Sequence, residues 1–163
     1  MIIQYVPETM IKFADPIFEM IHKVIGHATI YIIKLLAEIN NRYKGKLFSY
    51  MYLVLPKVLI IIEESRKQAE IYSTTQPQKS AEMIRTAKEA IINLPTFDYQ
   101  ILDDHLYLII PLLLRTASRR VMHTDLSVLN KAAVKTLNEM VNCSTFREHT
   151  AQVVHQLLKT LEG

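Results

Sequence analysis

Three segments of the chain share one shape, and their order constrains the fold more than any other feature. "YMYLVLPKVLIII" begins at Tyr50, "HLYLIIPLLLRTA" at His105 and "HTAQVVHQLLKTL" at His149. Laid over one another, Pro56 meets Pro111 and His155 takes the third place, while Leu59, Leu114 and Leu158 coincide. The starts lie 55 and 44 residues apart. The apolar run Leu106 to Leu114 is far shorter than the roughly 20 residues of a membrane helix, and its proline argues against a buried strand.

Each segment follows a more amphipathic one. These are residues 27–41, residues 79–94 and residues 125–141. Ala81, Ile84, Ala87, Ile91 and Leu94 follow helical spacing in the second, and Leu129, Ala132, Ala133, Leu137 and Met140 in the third. The expected fold is therefore all-α, an α-α superhelix of HEAT or armadillo-like repeats with about three and a half helix pairs, since such units recur at about 40–47 residues. The expected division of the single 1–163 domain is a half unit at 1–24, a unit at 27–64, a polar insertion at 65–79, and units at 80–118 and 124–161. The leading half unit looks like the second helix of a pair. The second helix of each pair packs on its own partner and on both neighbouring units, so it reads as a continuous apolar run rather than a stripe. Its proline kinks the helix or marks its first turn. A plain helical bundle with chance similarity is the alternative.

Boundary signals agree with this division. Gly26 and Gly45 suit helix ends, Asp125 an N-cap, and Thr145 with Glu148 a capping box. Pro95 and Thr96 separate the two helices of the 80–118 unit. The helix of "YMYLVLPKVLIII" is expected to run past Glu64 before "STTQPQK" forms a polar loop. Ser73, Thr74 and Thr75 are candidate phosphoacceptors there, although a plain solvated loop explains the composition more simply.

Composition narrows the function classes. The net charge of +3 is too small for the concentrated basic face of a nucleic-acid binder. Cys143 stands alone, which suits a reducing compartment and leaves no ligand set for structural zinc. The stretch 51–62 is too short to span a membrane, and "MIIQYVPETM" lacks the basic start of a signal peptide. The expectation is a soluble, cytoplasmic chain.

"ILDDHLYLIIPLLLR" followed by "DLSVLNKAAVKTLNEMVNCSTFREHTAQVVHQLLKTLEG" resembles the helical-repeat region of TOR (target of rapamycin) kinases, large members of the phosphatidylinositol-kinase-related class. The matching features are Leu102 to Pro111, Lys131 to Ala133, His155, and Lys159 to Leu161. "HATIYIIKLLAEINNRYKGKLFSYMYLVLPKVL" runs parallel to the same region, so the resemblance covers most of the chain, and the 63–80 stretch departs from it. The resemblance implies a non-catalytic scaffold fragment that contacts a raptor-type subunit or a second kinase copy. A Gly-rich loop, an HRD-type loop and a DFG motif are all absent from this sequence.

No catalytic, cofactor-binding or metal site emerges from the residues. Glu19 and His22 share a helix face, but a di-iron bundle needs a second such pair. His149 and His155 do not face one another at six residues' separation. Asp103 and Asp104 beside His105 are read as favourable charge at a helix N-terminus. Cys143, with His149 one turn and loop away, is read as a small buried residue rather than a nucleophile because no cleft signal accompanies the pair. The strongest charge cluster is Arg115, Arg119 and Arg120, which with Lys131 and Lys135 makes a candidate basic ridge for an acidic protein surface. Cations that complement a helix dipole are the simpler account. The competing readings are a HEAT-type adaptor or transport receptor unrelated to kinases, and a helical bundle binding a small ligand. A fragment of an array would expose its end helices, at 2–21 and at the C-terminus, and self-associate through them.

Overall fold

A computed structural model describes residues 12–27, 29–43, 46–118 and 126–141. The described residues form seven α-helices and one 3-10 turn, with no strand among them. The helices are α1 (Ala14–Val24), α2 (Thr29–Arg42), α3 (Phe48–Tyr72), α4 (Pro77–Asn93), α5 (Tyr99–Asp104), α6 (Leu106–Ser118) and α7 (Ser127–Val141), with the 3-10 turn at Leu94–Thr96 between α4 and α5.

The helices adjoin one another in two rows. In one, α1 meets α3 through stacked rings of Phe18 and Tyr50, 4.9 Å between centroids, and α3 meets α6. In the other, α4 packs against both α2 and α7. The most extensive pairings join the rows, α3 with α4 and α6 with α7. Thus α4 and α7 each pack most closely with the apolar helix before them, while α2 packs mainly on α4. The close pairing expected within 27–64 (α2 on α3) and within 80–118 (α4 on α6) is corrected, since neither is among the extensive contacts. The four-residue turn 73–76 explains the α3–α4 pair, because so short a connection makes antiparallel neighbours. The core is one cluster running from Phe18 and Ile21 through Leu36, Leu55, Ile62, Ile91 and Ile109 to Ala133 and Met140.

The expected polar insertion at 65–79 is a correction. The chain stays helical to Tyr72 and α4 begins at Pro77. Ser65, Arg66 and Ala69 are buried. They fall on the face of α3 that also buries Val58 and Ile62, so helical period outweighs polar composition here. Pro77 stands in the first turn of α4, where its missing N–H costs nothing. Only 73–76 is turn.

Pro56 and Pro111 both lie inside their helices rather than in a first turn. Each lacks the N–H that would bond four residues back, to Tyr52 in α3 and Tyr107 in α6. A further correction concerns Asp103 and Asp104. They end α5 rather than begin a helix. The break falls at His105, with φ −112° and ψ 8°, and the working N-cap is Asp98, whose carboxylate accepts from the Gln100 N–H at 3.0 Å.

Side-chain donors reach carbonyls in the last turns of two helices, and one of these carbonyls, Ile91 O, also accepts from the Leu94 N–H. Ser80 Oγ in α4 donates to Ala69 O in α3 at 2.7 Å. Thr136 Oγ1 in α7 donates to Ile91 O in α4 at 3.2 Å. Both donors are buried, so each bond locks a helix end to its neighbour where water cannot substitute. Near the end of α2, Asn40 Nδ2 donates to Thr96 Oγ1 at 3.3 Å.

Candidate functional site

The basic ridge falls in part on two helices that pack together, α6 and α7. Arg115 is exposed near the end of α6, close enough to α3 for its charge to act on Glu63. Lys131 and Lys135 lie one turn apart on α7, exposed and opposite the stripe of Leu129, Ala133 and Met140 that packs inward. Arg119 and Arg120 lie outside the described residues, as do Gly45, Asp125, Cys143, Thr145, Glu148, His149 and His155.

The remaining titratable clusters are built into the framework. Glu19 pairs with Lys23 at 2.8 Å on the exposed face of α1, and that hydrogen bond and charge hold its carboxyl below the ordinary value. His22 is half-buried, and its Nδ1 makes no hydrogen bond within the described residues. Burial pushes the imidazole below its usual basicity, and the nearby Lys57 ammonium adds to the effect. No group of three metal-ligating side chains occurs among the described residues.

His105 is buried at the α5–α6 break. Its Nδ1 is 2.6 Å from Ile101 O, and a carbonyl only accepts, so the proton sits on Nδ1. Its ring meets Tyr52 of α3 edge-on, 4.8 Å between centroids. The Tyr52 hydroxyl bonds to Asp104, which raises the phenol above its ordinary value. The three side chains fasten α5 to α3. Among them the ring nitrogen is spent on a backbone carbonyl, a structural use of a histidine.

Arg66 is 5% exposed and its guanidinium is held within α3. Nη2 donates to Glu63 Oε1 at 2.7 Å and Nε to Glu63 Oε2 at 3.4 Å, while Nη1 lies 3.5 Å from Glu70 Oε1. Lys67 reaches Glu63 at 3.6 Å. Burial pushes the Glu63 carboxyl up, but the hydrogen bonds and charge of Arg66, with Arg115 and Lys67 behind them, hold it below the usual 4.5.

Among the described residues, a surface with capacity for a ligand or partner lies on the outer side of α3. A groove of about 570 Å³ opens there, with Ile60, Glu64 and Gln68 on one wall, Tyr31 at the start of α2, and Glu82 and Arg85 on α4. Gly26, His27 and Thr29 at the α1–α2 corner also line it. Leu53, Ile60 and Ile71 are among the exposed large apolar residues on this side. Sequence reading assigned the first two to a buried run and the third to an insertion. The signal was present in the spacing: Leu53, Lys57, Ile60, Glu64, Lys67 and Ile71 repeat by four and three residues, which places all six on one face. No described helix is long and apolar enough to cross a membrane. Comparison with protein-family models, curated proteins and solved structures finds no match to this chain.

Proposed function

We propose that this chain is a non-catalytic scaffold segment whose work is shape and protein contact, a stretch of HEAT-like helical repeats from a TOR-type Ser/Thr kinase acting in the cytoplasm. One observation carries the reading. The segments at Tyr50 and His105 share a sequence shape, and the helices they form, α3 and α6, lie side by side in one row. The amphipathic helices that precede them, α2 and α4, are neighbours in the other. With the repeating pair taken as an apolar helix and the amphipathic helix after it, α3–α4 and α6–α7, repeated units that contact mainly their neighbours would be arranged so, leaving extended outer faces for partners. The kinase parentage draws its support from the resemblance of 27–59, 101–115 and 125–163 alone.

A raptor-type subunit or a second kinase copy is the partner class that the resemblance suggests. The exposed cations Arg115, Lys131 and Lys135, with Arg119 and Arg120, are proposed as a contact for an acidic protein surface. The test is the size of the native polypeptide, blotted from a lysate of the source organism with an antibody to this fragment. A very large band with kinase activity in the immunoprecipitate is the expected result. A band near 18.9 kDa would refute the kinase parent. The groove favours the second reading, a helical module taking a ligand, since its volume is within the range of small-molecule sites.

A further inference from the structure

The exposed line on α3 divides into two halves with different surroundings. Its first half runs beside α1, which stacks Phe18 on Tyr50, brings His22 near Lys57 and ends at Val24. Its second half, Ile60 to Ile71, extends past α1, with the groove along its flank. Here Ile60 is 60% exposed and Ile71 67%. Between them, Glu64 and Lys67 also face solvent. Four residues at seam spacing, apolar at both ends and oppositely charged in the middle, make a pattern that is complementary to its own reverse.

We propose that this half of α3 is a docking face for a second copy of the chain, the two α3 helices lying antiparallel about a twofold axis. With the axis between Ser65 and Arg66, Ile60 faces Ile71 of the second copy and Glu64 faces its Lys67, and symmetry gives each contact twice. The register is selective. Sliding the axis to Ile62, the next one that opposes seam positions, sets Lys57 against Lys67 and Ile60 against Glu64. Sliding it the other way sets Lys67 against Ile71. A parallel pairing in register puts Glu64 on Glu64 and Lys67 on Lys67, which repel. Only the first register buries apolar against apolar and matches every charge. So short a seam belongs to the small, reversible class of interfaces, so the association depends on concentration and weakens with salt. The pairing rests on the protein-contact reading of the chain but not on its kinase parentage, so the blot described above and the experiment below fail independently.

Sedimentation equilibrium of the 163-residue chain tests it. Glu64→Lys and Lys67→Glu each turn two attractions into two repulsions and are expected to weaken self-association about tenfold or more. An equimolar mixture of the two variants is expected to recover it, because each cross-pair again joins opposite charges. Both side chains face solvent, and unchanged far-ultraviolet circular dichroism confirms that the fold survives the loss of the Lys67–Glu63 pair. The proposal is overturned by a wild-type chain that stays monomeric, by single reversals that associate as the wild type does, or by a mixture that stays apart. Unchanged association in both single variants would place the contact at the array ends.

Discussion

Replacing Arg66 with Met isolates what a buried guanidinium contributes to α3. Methionine keeps most of the unbranched apolar stem, so packing changes little. Lost are two hydrogen bonds to Glu63, at 2.7 and 3.4 Å, and the 3.5 Å approach to Glu70. Removing one partner of a fully buried pair costs about 3–5 kcal/mol. The two carboxylates are not fully buried, with side chains 23% and 30% exposed, and they rehydrate when the arginine is gone. The expected loss is therefore about 1.5 kcal/mol at pH 7, between the buried figure and the fraction of a kcal/mol typical of an exposed pair. The pH dependence follows from Glu63. Its folded pKa lies below its ordinary 4.5, so its stabilisation is complete above that value and is lost as pH falls through the folded pKa. The gap between wild type and Arg66→Met should then narrow as the pH is taken below 4.5. Urea denaturation across a pH series reads both quantities. A loss under about 0.5 kcal/mol at pH 7, or one independent of pH, would refute the assignment of Arg66 as the group that keeps Glu63 ionised.

Three further outcomes are expected. Ser80→Ala leaves the buried Ala69 carbonyl without its donor and should cost about 1–2 kcal/mol, with faster amide exchange at the 73–76 end of the α3–α4 hairpin. Ile62→Ala, at a fully buried site on the inner face of α3, should cost about 3 kcal/mol in the same denaturation assay. The imidazole of His22 is less basic folded than unfolded, so the unfolded chain takes up its proton first and stability falls as pH drops below about 6.5. His22→Gln should remove that fall, and a wild-type profile flat through this range would count against the assignment.

The helical class and the order of apolar and amphipathic segments were legible because periodicity is local. Residues 79–94 and 125–141 show their stripes without reference to anything else in the chain, and α4 and α7 are the result. The stop at Pro95 was legible for the same reason, since a proline acts on its own neighbours. Polar composition misled where it conflicted with period. "ESRKQAE" reads as surface, yet it continues α3 because Arg66 finds Glu63 and Glu70 within one turn on either side. The candidate ridge joined arginines adjacent in sequence to two lysines of the next helix, and only the fold brings the charge of Arg115 to bear on Glu63 of α3 while Lys131 and Lys135 stay exposed on α7.

What the chain's residues determine by themselves is that it folds as helices, roughly where they start, and that its second apolar segment matches its first. What only the tertiary structure decides is which face of each helix is left over. Burial depends on neighbours brought from elsewhere in the chain: the core gathers Val58, Ile62 and Ala69 on one side of α3, while Leu53, Ile60 and Ile71 face away from it. Ile60 and Ile71 are exposed for that reason, while Ile62, two residues from Ile60 and equally apolar, is enclosed.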